Sequence, residues 1–264
     1  MTGKAFRSVL VVLALALGIS ARMVPAQADT LSDIKAAGAI RIAVPEDFPP
    51  FGTEDPSGAL VGYDIDVAQL VADDLAVRLV LVPVASNERI DALVSKRVDL
   101  IISSLGKTRE RSQAIDFSHA YAPFYSGIFA PSDIKITDPS DLAGKTVGVT
   151  RGSIEDLALA DIAPADATIM RYDDNGATIA AFLSGSVDAI ATGNIIAATI
   201  METGLLRRPE PKFLISNSPC YIGVGKGEPA LLKAVNSSID KALKSGALNA
   251  IALRWLHVPL PSRL

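Results

Sequence analysis

Apolar positions along this chain alternate between two rhythms. Short continuous runs rich in β-branched and aromatic residues stand at 40–44, 79–84, 99–102, 127–130, 146–150, 169–172, 213–216 and 221–224, and read as buried strands. Between them apolar residues recur at helical spacing, as in Ile65, Ala68, Val71, Ala72 and Leu75, or Leu231, Val235, Ile239 and Ala242. The stops and starts agree with that division. Gly38 closes a helix over 31–37, Asp64 and Ser86-Asn87-Glu88 are placed to cap helices, and Thr108 is a natural N-cap for a short one. Ser153 with Asp156 resembles a capping box, Thr192-Gly193-Asn194 is a turn before a helix over 195–203, Glu228-Pro229 opens a long helix, and Gly246 ends it. A last helix carries Leu248, Ile251 and Trp255.

The rhythm repeats at long range. Shifted by 89 residues, Ala92 to Ile101 falls on Ala181 to Ile190 with Ala, Ser, Val, Asp and Ile conserved in place, and Ser103 falls on Thr192. Each copy reads as an amphipathic helix, a short turn, Val-Asp and a buried strand. Two such α/β units predict an α/β chain of two doubly wound lobes, with the strand ends of both lobes open towards a ligand cleft. The aromatic, proline-marked segment from Ile115 to Tyr125 reads as the first crossing between lobes and Asn217-Ser218-Pro219 as the return. Lobe 1 is thus expected over 29–122 and 219–264, lobe 2 over 123–218, with a two-strand hinge between them.

Residues 1–28 change the picture of where the chain works. Lys4 and Arg7, the apolar run Val9 to Ile19 and Ala26-Gln27-Ala28 have the three parts of a cleaved signal peptide, and the apolar run is too short to span a bilayer. Removing them takes Lys4, Arg7 and Arg22 from the 25 basic side chains, leaving 22 against 29 acidic ones and a net charge near −7. That balance speaks against nucleic acid or an anionic membrane surface as partner. Cys220, the single cysteine, leaves no internal disulfide and reads as a small buried hydrophobe. The two histidines, His119 and His257, have no ligand-spaced neighbours, so neither metal nor cofactor is expected.

Candidate chemistry gathers after the strand at 99–102. The helix from Thr108 brings Arg111 back towards Ser103 and Ser104, and a guanidinium beside free hydroxyls suits a carboxylate, which it meets with two parallel bonds. Gly152 and Ser153 begin a helix, and free N–H groups there would make an anion site on the opposite lobe; an ordinary capped helix is the plainer alternative. Phe48, on the rigid loop Pro45 to Phe51, is placed either to wall a ligand or to pack locally. Asn87 either faces the cleft or caps its helix. Gly106-Lys107-Thr108 is not a phosphate loop, because Ile101 stands where the first glycine is required.

Phe48-Pro49-Pro50-Phe51, Gly62-Tyr63-Asp64-Ile65-Asp66, Val98-Asp99 with Thr108-Arg109-Glu110-Arg111, Asp116-Phe117-Ser118, Gly152-Ser153 and Val187-Asp188-Ala189 together resemble the solute-binding proteins of amino-acid ABC importers. The resemblance covers nearly all of the mature chain and implies the type II periplasmic binding fold. Carried over, it implies that Arg111 binds the ligand carboxylate, Ser104 and Gly106 contribute backbone groups or hydroxyls, Phe48 stacks over the ligand, and Gly152 and Ser153 grip the carboxylate from lobe 2. It also implies a monomer in the periplasm that captures a small carboxylate, a polar amino acid first, and delivers it to an inner-membrane permease. The chain departs where the family places acids for the α-ammonium. Gly193 and Pro45 occupy those positions, and Gly106 stands where Ser or Thr is usual. Glu46, Asp47 and Asn194 are the nearest substitutes. The alternatives are a binding protein that presents its closed form to a sensor, and an enzyme resembling the cyclohexadienyl dehydratases, against which Gly193 speaks.

Overall fold

The computed structural model describes residues 29–202, 206–262 and 264, so the expected signal segment lies outside the described residues. The chain opens with α1 (Thr30–Ala37) and β1 (Ala39–Val44), makes a small meander of β2 (Asp47–Phe48), β3 (Gly52–Glu54) and β4 (Leu60–Val61), and continues with α2 (Tyr63–Asp74) and β5 (Arg78–Pro83). Then come α3 (Arg89–Val94), β6 (Leu100–Ile101), the single turn α4 (Arg111–Ala114), β7 (Ile115–Ala122) and β8 (Tyr125–Ala130). The second unit holds β9 (Thr146–Thr150), α5 (Ile154–Ile162), β10 (Thr168–Tyr172), α6 (Asn175–Ser184), β11 (Ala189–Gly193), α7 (Asn194–Glu202) and β12 (Glu210–Asn217). Strand β13 (Cys220–Gly225), α8 (Pro229–Ser245) and α9 (Ala247–Trp255) complete the chain.

Two five-stranded sheets result, in the orders β5-β1-β6-β13-β7 and β10-β9-β11-β8-β12. Position by position they are the same sheet: three parallel strands, then two antiparallel ones. The repeated Val-Asp has one physical job in both. The Asp99 N–H donates to Arg41 O and its carboxylate accepts the Arg41 N–H; Asp188 does the same with Thr146 O and N–H. Each aspartate thus satisfies the backbone near the start of the second strand in its sheet's order, β1 or β9, and Val98 and Val187 are buried beside it.

Each sheet has its own apolar core. Ile40, Ile42 and Val44 pack with the faces of α2, α8 and α9 in the first, and Val147, Val149, Ala189 and Leu159 pack with Ile128 in the second. Residues 115–122 are an edge strand of the first sheet rather than a crossing, leaving only Pro123 and Phe124 between β7 and β8. The Ser218 N–H donates to Phe124 O, tying the return crossing to the first. Asp64 is not the cap of α2, which starts at Tyr63 after Gly62 at φ +145°; its side chain turns inward instead. Asn194 begins α7 directly after β11, without the expected turn.

Candidate functional site

The parallel strands of the two sheets end facing each other, and a cavity of ≈ 20 Å³ is enclosed between them. Phe48, Arg89, Ser104, Gly106 and Arg111 line it from the first sheet, Thr150, Ser153, Glu155, Asn175 and Thr192 from the second, and Phe124 from the crossing. That volume holds about one water, so a larger solute enters only with the two sides apart. A wider open groove of ≈ 820 Å³, bordered by Lys107, Arg109 and Glu110, lies elsewhere along the divide; it does not include Arg111.

Arg111 spans the divide. Thr108 Oγ1 accepts the Arg111 N–H at 3.0 Å and sets the single turn of α4, which aims the side chain inward. Its guanidinium donates to Gly106 O at 2.7 Å on its own side and to Gly152 O at 2.8 Å on the other. Burial above all, with the positive charge of Arg89 second, pushes Arg111 down to about 9. Arg89 is the residue the sequence reading missed. It lies one turn before Leu93 on the buried stripe of α3, and donates Nε to Ser86 O at 2.9 Å and Nη1 to Ser103 O at 2.6 Å. Burial lowers its pKa as well. Two desolvated guanidinium groups face one carboxylate, Glu155, in the same cavity, and the excess of positive charge suits an anion.

Ser104 is held at φ +42° because its N–H donates to the buried Asp64 carboxylate at 2.7 Å, and Tyr121 Oη donates to the same carboxylate at 2.6 Å. Burial raises the Asp64 carboxyl to about 7, against the lowering pull of Tyr121, the Ser104 N–H and Arg89. Phe48 stacks on Phe51, with ring centroids 5.8 Å apart, and tilts against Phe124 at 6.4 Å. It therefore packs locally and walls the cavity at once.

The expected free amides of Gly152 and Ser153 are not free. Gly152, at φ +71°, donates its N–H to Asp156 Oδ2 at 3.0 Å, and the Ser153 N–H donates to Thr150 O. The left-handed turn spends the Gly152 donor on Asp156 of α5 and the Ser153 donor on the end of β9, and leaves the Gly152 carbonyl facing Arg111. Ser153 Oγ accepts from the Asp156 N–H, as the capping box predicted, and its hydroxyl borders the cavity. Asn87 does not line the cavity and instead packs on Gly152, where an added Cβ would sit 2.8 Å from Asn87 Cα. Asn194 also stands outside the cavity, with Oδ1 accepting the Tyr125 N–H at 3.1 Å.

The two departures at glycine now have causes. A Cβ at Gly193 would meet the Phe124 ring at 2.3 Å, so an aromatic side chain occupies the place of an acid there. A Cβ at Gly106 would meet Ile154 Cδ1 at 2.4 Å and Ser218 Oγ at 2.6 Å, so a bare backbone lets the two sides approach. Asp47 closes the same divide from the meander: its carboxylate accepts the N–H groups of Asn175 and Gly176 at the start of α6, and Asn175 Nδ2 at 3.0 Å. That contact engages Asp47 with α6 rather than with the cavity. No group of three or more His, Cys, Asp or Glu side chains suited to a metal ion occurs among the described residues.

Comparison with known proteins agrees with this geometry. A sequence profile of the bacterial extracellular solute-binding proteins, family 3, matches residues 40–258. The chain is 28% identical over 225 residues to an L-arginine-binding protein of Pseudomonas aeruginosa, covering 80% of this chain and 85% of that one. It is 29% identical over 250 residues to the L-cystine-binding protein TcyJ of Escherichia coli K12, covering 92% and 91%. A crystal structure of a mutant of ArgBP from T. maritima superposes with a TM-score of 0.81 at 27% identity, covering 87% of this chain and all of that one.

Proposed function

The chain belongs to the bacterial extracellular solute-binding proteins, family 3, and on that premise we propose that it captures a small polar amino acid between its lobes, outside the cytoplasmic membrane, and delivers it unaltered to the permease of an ABC importer. The observation that carries the reading is Arg111: a buried guanidinium, lining an interlobe cavity with Phe48 and Phe124, whose bonds to Gly106 O and Gly152 O reach both sides. A carboxylate is the anion of matching shape for such a fork.

The action is a hinge. With the lobes apart, the solute carboxylate docks on Arg111 beside the Ser104 hydroxyl, while the Phe48 ring covers its apolar part. Closure then adds the Ser153 hydroxyl, the Arg111 to Gly152 bond and the Asp47 contact with α6. A solute shifts this equilibrium only by its preference for the closed form, and micromolar affinity corresponds to about −8 kcal/mol in all. The site is built for holding and not for turnover. The relatives that support this reading bear the names of binding proteins.

Mass spectrometry of whatever co-purifies with residues 29–264, followed by calorimetry with that compound, tests the reading. The expected result is an amino acid recovered unaltered. Arg111→Ala should lose at least about 100-fold in affinity, since two charge-assisted bonds contribute ~1.5–3 kcal/mol each. Near-native affinity in that variant would overturn the assignment of the carboxylate.

A further inference from the structure

The cleft contains a carboxylate that the family's usual acid positions do not predict. Glu155, in the first turn of α5, is 5% exposed and is the sole acidic side chain among the described residues lining the cavity. Among the described residues its only hydrogen bond is from Ser126 Oγ to Oε1, at 2.7 Å. No ion pair within 4.0 Å joins it to Arg89 or Arg111 among the described residues, although its charge acts on both. Oε2 carries no hydrogen bond among the described residues, so it is open to a charge-assisted bond from a cationic group of the cargo. The other candidates for that duty do not reach it: the Phe124 ring fills the space at Gly193, Asp47 is engaged by α6, and Glu46 is exposed outside the cavity.

We propose that Glu155 receives the α-ammonium of the cargo, so that Arg111 from lobe 1 and Glu155 from lobe 2 clamp the two charges of one zwitterion. The proposal rests on the capture function above and sharpens it: the cargo is a free α-amino acid, and 2-hydroxy, 2-oxo and N-acylated acids of the same side chain are held more weakly because none of them brings a cation to Glu155 Oε2. Because the acid comes from α5 and not from lobe 1, the ammonium is met only as the lobes close. Glu155 is therefore a device for recognising an amine at the closing step, distinct from the docking of the carboxylate.

Thermal-shift screening of residues 29–264 against the twenty amino acids and L-cystine, with the 2-hydroxy and N-acetyl counterparts of whichever stabilises most, gives the first measurement. Calorimetry on wild type and Glu155→Gln gives the second. Wild type should hold the amino acid at least about 30-fold more tightly than its 2-hydroxy counterpart, and Glu155→Gln should lose most of that preference while keeping its affinity for the hydroxy acid. Equal affinity of wild type for the two compounds, a reading that needs no variant, overturns the proposal while leaving carboxylate capture standing. So does a folded Glu155→Gln protein with undiminished preference. If no amino acid and no hydroxy acid binds wild type, the capture function falls and the proposal falls with it.

Discussion

Asp64 illustrates how far a single residue departs from its local role. Its place before an apolar helical stripe predicts a cap, yet it is fully buried, accepts from Tyr121 Oη and the Ser104 N–H, and fixes Ser104 at the cavity edge. Burial raises its carboxyl to about 7, whereas an aspartate in an unfolded chain titrates near ~3.9. Between those values the folded protein keeps a proton that the unfolded chain releases. The stability Asp64 contributes is therefore complete below about 4 and is lost as pH rises through about 7. Urea unfolding at pH 5 and pH 8 should show Asp64→Asn gaining on wild type as pH rises, whatever constant loss the changed hydrogen bonds impose. A difference independent of pH would mean that Asp64 stays ionised throughout.

At the scale of elements, α6 is held from two directions. Asp174, its own N-cap, accepts the Ala177 N–H, and Asp47 from the opposite lobe accepts the N–H groups of Asn175 and Gly176. Anions suit a helix N-terminus because its first N–H groups lack partners and its dipole is positive there. Asn175 continues the contact inward, its Oδ1 accepting from Thr150 Oγ1 at 2.9 Å. Asp47→Ala keeps the Asp174 cap and loses only the latch. It should weaken solute binding by roughly 2- to 30-fold, the ~0.5–2 kcal/mol typical of a capping contact. Small-angle scattering of the variant should show a larger radius at sub-saturating solute. Unchanged affinity and radius would remove Asp47 from the closing step.

For the whole molecule, two similar sheets joined by two short crossings leave the cleft as the place where one small solute touches both cores. Anything bound only by the closed form stabilises it by mass action, about 2.7 kcal/mol at a hundred times the dissociation constant. For a chain of this size that is roughly a 5–11 °C rise in unfolding temperature, at ~2–4 °C per kcal/mol. The rise should vanish in Arg111→Ala while the solute-free midpoint of that variant stays measurable. A rise of equal size in both proteins would place the solute somewhere other than this cleft.

Much of this was legible in one dimension. Strand and helix periods, the Val-Asp echo and the capping of α4 and α5 follow from neighbours in sequence, and so the α/β class, the paired units and the inward aim of Arg111 were readable from residue order. The strand end that carries Ser104 and Gly106 was readable for the same reason. Arg89 and Glu155 left a weak trace, since each stands four residues before a buried leucine on its helix, Leu93 and Leu159. What no local pattern decides is which polar groups meet after some 40 to 130 residues of intervening chain. The Gly152 carbonyl on Arg111, the Phe124 ring against Gly193, Asp47 on α6 and the shared cavity of Arg89, Arg111 and Glu155 depend on how the two lobes face each other. That arrangement is set by the packing of both cores and by close approach across the cleft, quantities that exist only once the chain is folded.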